Sequence, residues 1–238
     1  MNKIITLNAQ NIDKEHICCA IGEDKKNCER AQVKKNWMKT QFDVGHTFKK
    51  IDVRGKVFIE YTPAEKAWYP IIAPNYTFIQ LLLAECENDN KNKNGIVALT
   101  TTKKQPFLVE KKFYVKHGFE VCDTAFPNFE LIVKKFNKDA PNPVFTKKAK
   151  SGKIENTNGL VFYYSDLCPF ISGHLENMIK IAQYREIPTN AIKIESLEQA
   201  KEASCPYGIM SVFLNGEFLT YELMLEKKFN LLLDKKLK

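Results

Sequence analysis

Arginine is nearly missing from a basic chain. Of 36 basic side chains in 238 residues, only Arg30, Arg54 and Arg185 are arginines; acidic residues number 28 and the net charge is +8. Specific phosphate and base recognition leans on arginine's flat donor fork. The lysines lie scattered among glutamates, so they read as a solvated surface, and no nucleic-acid partner is expected. Long apolar runs are missing too. Stretches such as Leu81-Leu82-Leu83 are a few residues long, against the ~20 that a membrane-spanning helix needs. Met1 to Thr6 holds no apolar signal core and no small-residue cleavage site, so the expected location is cytoplasmic and no membrane contact is expected. The seven cysteines are odd in number, and no second Cys or His pair follows Cys18, Cys19 and Cys28 at zinc spacing. Reduced thiols are expected rather than a disulfide framework or a metal.

What remains is an ordinary globular composition, 44% hydrophobic and 27% charged, enough for one large domain or two small ones. The stretch from Asn137 through Pro141 and Pro143 to Gly159 is polar and non-periodic. It divides the chain into a first unit, 1–137, a linker, 138–158, and a second unit, 159–238. The first unit reads as a strand at Ile4–Leu7, a helix from Asn11 to about Ile21 and a helix from about Cys28 to Phe42. Strands at His46–Ile51 and Lys56–Tyr61 follow, joined by Asp52-Val53-Arg54-Gly55. Extended segments over Trp68–Gln80 lead to a helix over Leu81–Asn88, a buried strand at Ile96–Thr100, a helix from Pro106 to Gly118 and strands at Phe119–Cys122 and Glu130–Val133. This is an α/β (α+β) order around one mixed sheet. The second unit reads β-α-β-α-β-β-α, with Asn215-Gly216 as the hairpin turn and a last helix from Tyr221 to about Leu233.

A helix ending Tyr114-Val115-Lys116-His117-Gly118-Phe119 and running straight into a strand resembles the GNAT-type N-acetyltransferases. Gly118 is the helix-ending residue where only glycine turns left-handed cheaply. The segments His16–Ile21, Lys56–Tyr61, Pro63–Trp68 and Gly118–Asp123 resemble the bacterial GNAT proteins that carry a C-terminal YoaP-like, thioredoxin-like domain, and the similarity extends over nearly the whole chain. The resemblance implies acetyl-CoA as cofactor, with its arm beside the fourth strand, here Phe78, Gln80 and Leu81. It implies that Tyr114 protonates the departing thiolate. Glu60, on a strand, is a candidate base for the incoming amine, as is Glu65. The four histidines show no clear partner in the sequence.

One departure from the family stands out. Its members follow that strand with a glycine-rich loop that turns backbone N–H groups toward the pyrophosphate. Here no glycine lies between Gly55 and Gly95, and Gln80 meets Leu81 with no turn residue. A segment of about 15 residues is expected to be missing there.

In the second unit Cys168-Pro169-Phe170-Ile171 sits where a thioredoxin-like fold carries its active cysteine, at a helix start that favours a thiolate. Ile171 replaces the resolving cysteine. The same resemblance makes Pro206 a cis-proline candidate and places Cys205 near Cys168. The expected function is transfer of an acetyl group from acetyl-CoA to an amine of a small molecule or peptide. The alternatives are a non-catalytic GNAT-fold binding protein and a monothiol redox protein acting through Cys168.

Overall fold

The computed structural model describes residues 3–17, 22–53, 57–81 and 93–237, without the side chains of Gln80, Leu81 and Ser172. The helix expected over Leu81–Asn88, the Arg54-Gly55 turn and Cys18, Cys19 and Cys86 lie outside the described residues, apart from Leu81 itself, which is the end of a strand.

Strand β1 (Ile4–Thr6) is followed by a single 3-10 turn at Ile12–Lys14, where the sequence predicted a helix from Asn11. Ile12 and Ile17 are both fully buried, so the apolar spacing there serves an irregular, tucked-in segment. Helix α1 (Lys25–Gln41) starts three residues before the expected Cys28, because Asp24 caps it by accepting from the Asn27 N–H at 3.1 Å. Gly45, at φ +94°, ends the turn that follows. Next come β2 (Thr47–Ile51), β3 (Phe58–Pro63), β4 (Ile71–Ile72), β5 (Tyr76–Leu81), β6 (Gly95–Thr101), helix α2 (Lys111–Lys116), β7 (Glu120–Ala125) and β8 (Phe129–Lys135).

Seven of these strands form one sheet in the order β1-β2-β3-β5-β6-β8-β7. Every pair is antiparallel except β5–β6. Alternate residues face opposite sides. Phe48, Phe78, Val97, Leu99, Leu131 and Val133 join the large core on the α1 side. Ile59, Tyr61, Ile79, Ile96, Ala98 and Ile132 pack under Tyr114 and Phe119 on the other.

The segment between the units is ordered. Strand β9 (Val144–Phe145) pairs with β4, and α3 (Lys147–Ser151) follows, capped by Thr146. Tyr76 donates to the Pro141 carbonyl at 2.9 Å, and the Phe145 N–H donates to Asp123 at 2.7 Å. On its far side the segment bonds the second unit: the Ile154 N–H donates to Gly216 O and the Phe218 N–H to Gly152 O.

The second unit contains β10 (Leu160–Tyr164), α4 (Ile171–Tyr184), β11 (Thr189–Lys193), α5 (Leu197–Lys201), β12 (Met210–Leu214), β13 (Glu217–Thr220) and α6 (Glu226–Lys236). Its sheet runs β11-β10-β12-β13, with β10 and β11 parallel. Asn215 and Gly216, at φ +49° and +84°, make the expected two-residue hairpin. Helix α6 begins five residues later than predicted. The Tyr221 ring instead joins the large core, and its hydroxyl is tied to Gln105 and Asn128. Among the described residues the cis X–Pro bond is Phe126–Pro127, so the expectation of a cis Pro206 is corrected.

The two units share apolar interior. Leu167, Cys205, Tyr207, Phe213 and Tyr221 belong to the same buried cluster as Trp68, Tyr69, Phe78 and Phe129. Backbones nearly touch at the seam: a Cβ on Gly208 would lie 2.1 Å from the Trp68 carbonyl oxygen.

Candidate functional site

The parallel pair at the middle of the large sheet comes apart. Rungs run from Tyr76–Gly95 to Ile79–Ala98 and stop there, although β5 continues to Leu81 and β6 to Thr101. Past Ile79 the β5 backbone pairs on its other side only, where Leu81 faces Glu60 across a bulge that adds Gln80 to β5. Among the described residues, the backbone on the rim of this opening has no cross-strand partner on the β6 side. Gln80 and Leu81 lie on that rim. Phe78 does not: it pairs with Val97 in the closed part of the ladder, and its ring is buried against Tyr69, centroids 4.5 Å apart. Phe78 supports the opening from beneath.

Tyr114 stands on one side of the sheet. Helix α2 carries it into the cluster that contains Ile79 and Ala98, the last rung before the opening. Its side chain is almost wholly buried, and burial pushes the phenol above its ordinary range. Such a phenol stays protonated and is a donor.

Glu60 stands on the other side, and its carboxylate is 1% exposed. Lys34, reaching down from α1, donates to Oε2 at 2.7 Å. His46 Nε2 lies 3.2 Å from Oε1, close but off-line for a hydrogen bond. Burial works to raise the Glu60 carboxyl, but the Lys34 charge and the His46 contact outweigh it and hold the group at about 2. Trp37 sets its ring edge-on to His46 at 5.2 Å and to Trp68 at 5.6 Å. Glu65, the other carboxylate considered, is exposed and accepts from the Asn75 N–H at a local turn.

Cys168 lies half-buried just ahead of α4. The neighbouring Leu167 and Phe170 dock into the shared core, and the Arg30 guanidinium of α1 lies 5.5 Å over the Phe170 ring. Cys205 is 1% exposed, with its thiol pushed up to about 12 by burial, and carries no disulfide. Among the described residues no three metal-ligating side chains gather, and no helix is long and apolar enough to cross a membrane.

One residue that the sequence did not single out bears on this cluster: Tyr69 is buried, and its phenol is pushed up first by that burial and then by the Glu60 carboxylate, against Lys34. Lys34 and His46 were likewise missed. Their signal was weak: a lysine among lysines on α1, and a histidine whose carboxylate partner lies 14 residues on.

The profile of the YoaP-like family matches residues 188–230. A protein of Bacillus subtilis (strain 168) named "Uncharacterized N-acetyltransferase YoaP" is 35% identical over 248 aligned positions, covering 97% of this chain and 98% of that one. As 97% of 238 is about 231 residues, about 17 aligned positions have no residue here. No solved structure matches.

Proposed function

The chain belongs to the YoaP family of N-acetyltransferases, and from that membership we propose how its residues carry acetyl transfer. The protein moves an acetyl group to an amine, and acetyl-CoA is the donor. The opening between β5 and β6 carries this reading, because it is where two parallel strands of one sheet cease to pair. The rim backbone of Gln80 and Leu81 holds the arm in extended form. The thioester then lies between Tyr114 on one side of the sheet and the Glu60 cluster on the other.

The acceptor amine approaches from the Glu60 side. Its nitrogen attacks the thioester carbonyl, and the carbon–sulfur bond breaks. Tyr114 gives its phenolic proton to the departing thiolate; burial keeps the phenol protonated over the working pH range, and it also makes the phenol a weaker acid than a free tyrosine. Glu60 and its neighbours handle the proton lost by the amine. The second unit, thioredoxin-like in its strand order, closes the acceptor side through the Leu167–Phe170 turn and Tyr207. Cys168 serves there as a wall of the acceptor pocket. The acceptor is a small-molecule or peptide amine, and the location is cytoplasmic. The roughly 17 unmatched positions are consistent in size with a shortened loop after β5, and a shorter loop offers the pyrophosphate fewer backbone N–H groups.

Calorimetric titration with acetyl-CoA, paired with a thiol-release assay over a panel of primary amines, tests this. Saturable heat and amine-dependent release of CoA are expected. A folded protein that gives no heat and no release sinks the reading.

A further inference from the structure

A fully buried ion pair is expensive, since two charges leave water for one contact. The Lys34 and Glu60 side chains are 5% and 1% exposed, and the His46 side chain is 1% exposed. Trp37 Nε1 is buried with no hydrogen-bond partner, and His46 Nε2 and Glu60 Oε1 face each other at 3.2 Å with no other partner. Buried polar atoms are ordinarily satisfied. An unpaired indole N–H beside a histidine–carboxylate contact marks a place for one more polar group that comes and goes. The cluster is also well placed for the chemistry: Glu60 is the cross-strand partner of Leu81, the last residue of β5 at the opening.

Glu60 itself is poorly suited to take a proton. A carboxyl held near 2 by the lysine is ionised at any working pH, but it is a feeble base. An ionised carboxylate only accepts hydrogen bonds. Of the two neutral tautomers of His46, the one with its hydrogen on Nε2 suits the carboxylate that this nitrogen faces, and that tautomer leaves the lone pair on Nδ1.

We propose that His46 is the proton acceptor for the incoming amine, oriented by Glu60, which Lys34 in turn holds as an anion. The inference rests on the acetyl-transfer reading above and assigns its missing base. As the amine nitrogen bonds to the carbonyl carbon, it sheds one proton to Nδ1 of His46, directly or across one water. Tyr114 gives its own proton to the thiolate. The imidazolium then returns a proton through solvent to the Tyr114 phenolate, so the protein ends as it began. Glu60 faces the positive ring while that charge lasts, which makes it and Lys34 positioning residues.

Two measurements test the assignment. In 15N spectra of the histidine side chains, His46 is expected as the Nε2–H tautomer, and His46→Gln identifies its signals. Glu60→Gln should shift it to a tautomer mixture. An Nδ1–H tautomer in the unaltered protein overturns the proposal without any assay. For the second, acetyl-CoA is supplied with the primary amine that the unaltered protein acetylates fastest in the panel, and separately with hydroxylamine, which is mostly unprotonated at neutral pH. His46→Gln is expected to lower kcat for the primary amine by about 10²–10³-fold, to lower it far less for hydroxylamine, and to leave acetyl-CoA binding heat within twofold. A kcat within threefold of the unaltered protein overturns the base assignment while leaving acetyl transfer standing. Absence of both heat and turnover in the unaltered protein removes the transfer reading and this proposal with it.

Discussion

Lys201 and Ala64 belong to different units, yet the Lys201 ammonium donates to the Ala64 carbonyl at 2.9 Å and to that of Ile71 at 3.3 Å. These two contacts pin the segment between β3 and β4 that carries Trp68 and Tyr69. Burial lowers the Lys201 amine to about 8, only partly opposed by Glu65.

The Lys201 arrangement predicts a pH-dependent stability. The unfolded chain, with an ordinary lysine, binds more protons than the native one between pH 8 and 10.5. Stability therefore rises with pH across that window, and the cost of burying the charge is fully present below it. Relative to Lys201→Met, the unaltered protein should gain up to about 3 kcal/mol between pH 7.5 and 10.5. Urea unfolding at several pH values measures this; parallel curves for the two proteins would exclude it.

Removing one member of the Lys34–Glu60 pair should be far worse than removing both. Lys34→Met strands the Glu60 carboxylate and is expected to cost about 3–5 kcal/mol. The double variant Lys34→Met/Glu60→Leu should recover most of that loss. The sign with pH follows from a carboxyl lowered from 4.5 to about 2: its contribution is present above pH 4.5 and lost as pH falls toward 2. Glu60→Gln should flatten this acid limb, and an unchanged limb would contradict it.

Tyr207 ties the units together by packing with Phe107, Phe129 and Tyr221. Tyr207→Ala should cost about 3–5 kcal/mol, as other large-to-small core changes do. Because the cluster spans both units, calorimetry of the unaltered protein should show one cooperative transition. Two resolved transitions would mean that the seam is weaker than its burial implies.

Tyr114→Phe should lower kcat by about 10²-fold and leave the KM for acetyl-CoA unchanged. Burial holds the phenol above its usual range, so the ratio of the two rates should stay flat from pH 7 to 10. A ratio that shrinks steadily toward pH 9 would assign the proton to another group.

Much of the fold was legible because its signals are local. Asn215-Gly216 dictates its own hairpin, Gly118 ends α2 at φ +81°, and the apolar strand β6 reads as buried without reference to any partner. Tyr69 was illegible for the opposite reason. It sits in a proline-flanked stretch with no periodicity, and what gives it meaning is the nearby Glu60 carboxylate and a core shared with Leu167 and Tyr207 of the second unit. The segment 138–158 looks polar and featureless because its order comes from backbone bonds to Pro70, Asp123 and Gly216, which composition does not encode. His46 seemed partnerless because the β2–β3 register, not the spacing, brings it toward Glu60.

The bare backbone of Gly208 against Trp68 limits how this protein can be rebuilt. Grafting the rear half of one relative onto the front half of another would succeed only if both the glycine and the stitched strap of residues 141–154 came along. Any side chain at that point would wedge the halves apart and draw Tyr69 away from the groups around it.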